Sequence, residues 1–263
     1  MRVMVWNVWW RFGGNWRERE VSIGATLETY RPDVLGLTES WSGDGTDQPH
    51  RLAAPCGMHA AWAPSFIPTI MEYAEQPGID MGLGLLSRWP IVAIEAHELP
   101  TTQRGGPGPA ALLATVDHPR GPLHVIVTRT EPDPRFSLDR LHQCRALAAL
   151  ATDRRLDGPL PVLLLGDLNA SADQPPLAPL LDAMVDTWSA AGADPAAVTL
   201  DSSVPYAPRD APHLLDRRID HVFARPGRPG LPLPVHGAFL AGDRPAGGVY
   251  PSDHYAVGVD LEP

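Results

Sequence analysis

The sequence predicts an α/β fold of two stacked, mixed β-sheets with helices packed outside. Two observations lead there. Short apolar, β-branched runs recur along the chain, each of strand length and bounded by Gly, Pro or Asp, and several are too uniformly apolar to face water on one side. Helical stretches are few and irregularly spaced, which excludes a regular βα alternation and leaves stacked sheets as the way to bury so many apolar strands.

Taken in order, the expected strands are Val3–Trp6, Val34–Leu37, Leu83–Leu86, Ile91–Ile94, Leu112–Val116, Val125–Val127, Val162–Leu165, Ile219–Phe223 and Ala256–Val259. Trp16–Tyr30 is an expected helix, with Ile23, Leu27 and Tyr30 at helical spacing. A second helix is expected over Ser137–Thr152, with Ser137 as N-cap. Its apolar stripe would be Leu138, Leu141, Cys144, Ala148 and Ala151, widened by Leu147 and Leu150. Leu177–Met184 reads as a shorter third helix, and Pro100–Pro109 and Arg225–Pro234 as loops. There is no internal repeat and no linker-like tract, so residues 1–263 are expected to form a single domain.

Composition narrows the function. Hydrophobic residues make up 44% and charged residues 20% of the chain, enough apolar material to order it. With 21 basic and 31 acidic residues the formal net charge is −10, which disfavours non-specific wrapping of nucleic acid but permits a local basic patch or a carboxylate cluster that holds a cation. Every basic residue is Arg and none is Lys, so Schiff-base and P-loop lysine chemistry are excluded. Two cysteines, Cys56 and Cys144, are too few for a disulfide framework, although one bridge between them is compatible with the sequence. The N-terminus runs straight into a strand without the features of a signal peptide, and no stretch approaches a membrane span. A soluble cytoplasmic protein is expected.

Polar residues follow the apolar runs in a repeated manner. Asn7 follows the first strand and Glu39 the second. Asp167 and Asn169 follow Val162–Leu165, Asp220 lies within Arg218-Ile219-Asp220-His221-Val222-Phe223, and Asp253 and His254 precede the last strand. Polar groups at strand ends converge on one sheet edge, where loops form clefts. Carboxylate and carbonyl oxygens suit a hard cation such as Mg²⁺, with Mn²⁺ an alternative. Singly, an Asp or Asn in such a place is most often a turn residue or a helix cap.

The ordered set resembles the endonuclease/exonuclease/phosphatase superfamily, the DNase I-like proteins. The resemblance rests on Pro32-Asp33-Val34-Leu35-Gly36-Leu37-Thr38-Glu39, Leu164-Leu165-Gly166-Asp167-Leu168-Asn169 and Ser252-Asp253-His254, supported by Leu83-Gly84-Leu85-Leu86-Ser87-Arg88-Trp89-Pro90-Ile91. It implies a four-layered α/β sandwich and metal-dependent hydrolysis of a phosphoester. It further implies Glu39 as the main Mg²⁺ ligand, Asn7 close to metal or phosphate, and Asp253 beside the metal. Asp167 would deprotonate the attacking water with help from Asn169, and His254, paired with Asp220, would contact the phosphoryl oxygen. The chain departs from the family at Thr128-Arg129-Thr130, where Thr-His is usual. Arg129 would clamp phosphate through its planar fork but not donate a proton; an inactivated site or one retuned for another substrate is the alternative.

Trp9, Trp10 and Trp16, with Arg11, Arg17 and Arg19, lie just beyond Asn7. Trp9, Trp10, Arg11 and Arg17 are candidates for stacking on a ring and holding a second phosphate; the alternative is that the tryptophans pack the first loop and the arginines are solvated. The remaining histidines have no metal-ligand spacing, and Met71–Glu75 and Pro77–Asp80 carry no assignable chemistry. The expected substrate is a phosphorylated small molecule, nucleotide or lipid headgroup. A nuclease of the same fold, or a non-catalytic phosphate-binding relative, is the alternative.

Overall fold

A computed structural model describes residues 1–65 and 76–262; Met71–Glu75 therefore lies outside the described residues. The first sheet is built from β1 (Arg2–Asn7), β2 (Val34–Gly43), β3 (Thr46–Asp47), β4 (His59–Pro64), β5 (Asp80–Ser87), β12 (Val235–Ala241) and β13 (Ala256–Leu261), in the order β12-β13-β1-β2-β5-β4 with β3 on β2. The second contains β6 (Ile91–Glu98), β7 (Ala110–His118), β8 (Gly121–Arg129), β9 (Val162–Asp167), β10 (Val185–Asp186) and β11 (Asp220–Arg225), in the order β10-β11-β9-β8-β7-β6. Each expected strand is present. Expected segments lengthen because ladder pairing carries polar neighbours into the sheets, and β4 and β12, too weakly apolar to stand out in sequence, join as flanking strands.

The main core lies between the sheets. Val3, Val5, Val34, Leu83 and Leu85 of the first sheet meet Leu112, Val125, Val127, Leu163 and Leu165 of the second, all buried. β-strand alternation turns the intervening residues outward. Met4, Leu35 and Leu37 thus pack with Ile23 and Leu27 of α1 (Trp16–Tyr30) and Leu52 of α2 (Gln48–Cys56). On the opposite side Leu113, Ile126 and Leu164 pack with Cys144, Leu147 and Ala151 of α3 (Ser137–Ala151) and Leu180 of α4 (Ala178–Ala183). The order helix, sheet, sheet, helix is the four-layered sandwich.

At Gly36 the two sheets approach closely. This residue faces inward between Leu35 and Leu37, and a Cβ there would lie 2.9 Å from the Cβ of Leu165.

Three local expectations change. Ser137 is not the N-cap of α3: the Asp133 carboxylate caps a preceding 3₁₀ turn, Pro134–Phe136, by accepting from the Arg135 N–H, and this turn feeds directly into the helix. The buried stripe of α3 is also rotated. Leu138 is exposed and Leu141 half-buried, whereas Asp139, Arg140 and Gln143 are buried. Loops supply their partners: Asp139 accepts backbone N–H bonds from Thr102, Gln103 and Arg104, Arg140 donates to the carbonyls of Glu131 and Pro132, and Gln143 bonds the Glu131 N–H. Finally, α2 is a helix additional to the three expected, and it contains Pro49 and Pro55. Pro49 sits in the first turn, where no N–H is needed, and the Asp47 carboxylate caps the helix. Cys56 and Cys144 are both free thiols. No helix among the described residues is long and apolar enough to cross a membrane.

Candidate active site

Register and strand direction bring the polar residues together. β1 and β2 run parallel with Asn7 opposite Thr38, and β8 and β9 run parallel with Arg129 opposite Asp167. The C-terminal ends of both pairs therefore lie at one end of the sandwich. β11 runs antiparallel to β9 and starts with Asp220 opposite Asp167. β13 runs antiparallel to β1, so the turn before it returns Asp253 and His254 to the same end. A cleft of about 410 Å³ opens there, and its lining includes Glu39, Arg129, Asp167, Asn169, Asp253 and His254.

Glu39 owes its aim to a β-bulge. The β2–β5 register shifts between Leu37 and Ser40, and Glu39 adopts a φ of 53°. Trp9 and Asn169, also in the cleft lining, have φ values of 56° and 48°. A left-handed non-glycine residue costs about 1 kcal/mol or more, so the surrounding contacts hold these side chains where unconstrained backbone would not.

Asn7 is the hub. Its Nδ2 donates to Glu39 Oε1 and to Asp167 Oδ2, each at 3.0 Å, and lies 3.5 Å from His254 Nε2. Its Oδ1 accepts the Trp9 N–H, which fixes the amide in this orientation. The side chain thus turns an N–H donor, not its carbonyl, toward the carboxylates. Asp167 Oδ1 accepts the Asn169 N–H, and Asn169 Nδ2 donates to the Thr130 carbonyl. Burial and the nearby Asp220 charge raise the Asp167 pKa, with His254, Arg129 and the Asn169 N–H opposing them.

His254 Nδ1 meets Asp220 Oδ2 at 2.8 Å. Burial disfavours its charge, but the negative charges of Asp220 and Asp253 and the hydrogen bond to Asp220 overcome that cost and push the pKa up to about 10. His254 is accordingly an imidazolium at neutral pH, with both ring nitrogens protonated. Ligand atoms of Asp167, Asp220 and His254 lie within 4.8 Å of one another, a spacing that could hold a metal ion. Asp253 is pushed up to about 7 by burial, against the charge of His254 and with the added repulsion of Glu39.

Arg129 also lines the cleft. Its Nη2 lies 2.9 Å from Glu39 Oε1 and its Nε 3.5 Å from Asp167 Oδ2. One guanidinium thereby bridges carboxylates from the two sheets.

Of the four residues expected to hold substrate, the structure brings one to the cleft. Trp9 lines it, stacked on Tyr206 with ring centroids 5.0 Å apart. Trp10 is buried beside Trp41, Ile79 and Met81. Arg11 is buried between indoles, its guanidinium 4.3 Å from the Trp16 ring centroid and 3.9 Å from that of Trp41, and pairs with Asp44. Arg17 is exposed and stacks over Trp16 at 4.3 Å, outside the cleft lining. Arg19 is neither solvated nor phosphate-facing: it is buried and donates to the carbonyls of Val8, Trp9, Trp10, Phe12 and Pro251, tying the first loop to the turn before His254. A loop has no periodicity to reveal which of its residues face inward.

The remaining cleft wall includes residues to which the sequence assigns no role, among them Phe12, Leu200, Tyr206, Pro208, Asp210 and Leu214. They lie in irregular segments, where neither strand position nor motif singles them out. His221, adjacent to Asp220, points to the other face as strand alternation requires. It contacts the Ala170 carbonyl and Arg218 instead.

Two stacked mixed sheets, with acidic, amide, histidine and arginine groups gathered where their parallel strands end, define a DNase I-like α/β protein. The chain belongs to the Endonuclease/Exonuclease/phosphatase family, whose sequence profile matches residues 4–254. It is similar to the endonuclease/exonuclease/phosphatase from Beutenbergia cavernae, at 27% identity with a TM-score of 0.71, covering 100% of this chain and 71% of that one. It also superposes on zebrafish (D. rerio) TDP2 complexed with single-strand DNA product, at 20% identity with a TM-score of 0.74, covering 100% and 99% of the two chains. The human Nocturnin catalytic domain with bound sulfate matches at 18% identity with a TM-score of 0.75, covering 100% and 94%. No curated protein matches this sequence. Membership places the chain among hydrolases of phosphoesters, the nucleases and phosphatases that the family comprises.

Proposed function

We propose that this protein is a metal-dependent phosphoesterase that hydrolyses a phosphate mono- or diester of a small molecule, nucleotide or lipid headgroup by in-line attack of an activated water. The observation that carries the reading is the convergence of buried Asp167 and His254 in one cleft with Glu39, Asn169 and Asp253, His254 Nδ1 being held 2.8 Å from Asp220 Oδ2.

The donor chemistry fits a hard divalent cation. Glu39 and Asp253 supply oxygen ligands; burial, with added repulsion from Glu39, pushes Asp253 up to about 7, and a bound cation would favour its ionised form. Glu39 and Asp253 would hold the ion, with Asn7 orienting Glu39. A bound Mg²⁺ would neutralise phosphate oxygens and stabilise charge developing in the transition state.

The chain's own groups do the rest. Asp167 accepts a proton from the attacking water, its pKa raised toward the working range, which favours a general base. The Asn169 N–H fixes the rotamer of that carboxylate. His254, held at Nδ1 by Asp220, directs Nε2–H at a non-bridging phosphoryl oxygen and stabilises its growing charge. Trp9 and Tyr206, with Leu200 and Leu214, form an apolar wall for the group that the phosphate carries. Among the described residues, Arg129 is the one arginine in that lining. A row of phosphates would find few cations here, which favours a compact ester over a long polynucleotide.

The test is a screen of the purified protein against phosphate mono- and diesters, nucleotides and plasmid DNA, with Mg²⁺ and with EDTA. Metal-dependent turnover of small esters is expected, and turnover of plasmid alone would establish the nuclease reading instead. The residue test is Asp167→Asn, which should lower kcat by about 10²–10⁴-fold with a smaller change in KM. A raised KM with unchanged kcat would make Asp167 a binding residue and defeat the mechanism.

A further inference from the structure

We infer that Arg129 is an internal cation that competes with the divalent ion for Glu39, and so sets the metal affinity of the site. The inference rests on the reading of Glu39 as a metal ligand and adds what this chain's arginine does to it.

Glu39 Oε1 accepts from Asn7 Nδ2 at 3.0 Å and is ion-paired with Arg129 Nη2 at 2.9 Å. Arg129 Nε also approaches Asp167 Oδ2, which takes the second Asn7 N–H. The pair is shielded, with side-chain exposures of 15% for Arg129 and 7% for Glu39. At such burial the Coulomb term is screened less than at a surface. The guanidinium keeps its charge at every working pH, so protonation equilibria never release Glu39.

A metal ion and Arg129 therefore compete for Glu39 Oε1. Ligation through that oxygen draws on the same negative charge that holds the Arg129 ion pair, and the two cations repel at short range. Three consequences are linked. The metal-free site is already neutralised by Arg129 and keeps its shape without an ion. Metal affinity is lower than the carboxylate set alone would give. Once displaced, the guanidinium remains in the cleft, where a phosphate oxygen is the strongest new partner for its planar fork.

The experiment is calorimetric titration of Mg²⁺ and Mn²⁺, without substrate, into wild type, Arg129→Gln and Glu39→Gln. Arg129→Gln should tighten metal binding at least about tenfold, the effect of removing one nearby positive charge in a partly shielded site. Glu39→Gln should weaken it. If Glu39→Gln weakens binding while Arg129→Gln leaves it unchanged or weaker, Arg129 does not compete and the inference is overturned, with the metal reading intact. If Glu39→Gln leaves binding unchanged, the metal reading itself fails, and the inference with it. Crystals of the wild-type protein with and without Mn²⁺ provide a check that needs no variant. The Arg129–Glu39 contact should open in the Mn²⁺ form, and a loaded site with that contact intact would overturn the inference.

Discussion

His254 Nδ1 and Asp220 Oδ2 lie 2.8 Å apart, both side chains buried, on segments separated by 33 intervening residues of sequence. The contact fixes the imidazole ring and maintains its charge, because the opposing carboxylate outweighs the cost of burial. Asp220→Asn should therefore lower the His254 pKa from about 10 and move the alkaline limb of the pH–rate profile to lower pH. A fall in kcat of about 10²-fold or more is expected. A profile superimposable on wild type would mean that His254 is not the acidic group of the cleft.

Stability should depend on pH in a direction set by the same buried groups. The folded pKa of His254, about 10, exceeds its ordinary 6.5. Its stabilisation is complete below pH ~6.5 and is lost as pH rises through about 10. Asp253, raised to about 7, acts in the same sense between pH ~4 and 7. His221 acts oppositely: burial and then the Arg218 charge depress its pKa to about 3, so stability declines as pH falls from ~6.5 toward 3. Thermal melts of metal-free protein should show decreasing Tm above neutrality, with a shallower fall in His254→Gln. A Tm that rises from pH 7 to 10 would contradict the assigned charge on His254.

Trp9 presents a ring to the cleft and stacks on Tyr206. Since it is remote from proton transfer in the proposed mechanism, Trp9→Ala should raise KM by about tenfold, the loss of one stacking contact worth about 1–3 kcal/mol, with kcat largely retained. Arg17→Ala, outside the lining, should leave both constants unchanged. Equal effects from the two substitutions would show that the first loop is arranged differently in solution.

Gly36 tests the sandwich. An alanine Cβ would lie 2.9 Å from the Leu165 Cβ and 3.2 Å from Val127 Cγ2, so the sheets must separate locally. Gly36→Ala should destabilise the protein by about 1–3 kcal/mol, measured by denaturant unfolding. A neutral result would mean that the inter-sheet spacing is looser than described.

The sequence by itself determined the strands of the core and the residues at their ends. Apolar runs such as Val34–Leu37 and Val162–Leu165 must be buried on both faces, and a polar residue that terminates such a run must lie at a sheet edge. The strand-end positions of Asn7, Glu39, Asp167 and His254 were legible on that ground, while their reading as one site rested on the family resemblance of the ordered set. Tertiary structure alone decided what those residues do to one another. The register of β8 on β9 places Arg129 beside Asp167, and the bulge in β2 turns Glu39 toward the same guanidinium. It also decided which side chains of the first loop face inward: Trp10, Arg11 and Arg19 are buried, and Trp9 reaches the cleft. The physical reason is the range of the forces. Hydrophobic patterning is read from neighbours a few residues apart, whereas charge pairing and desolvation depend on distances between strands that the chain brings together only by folding.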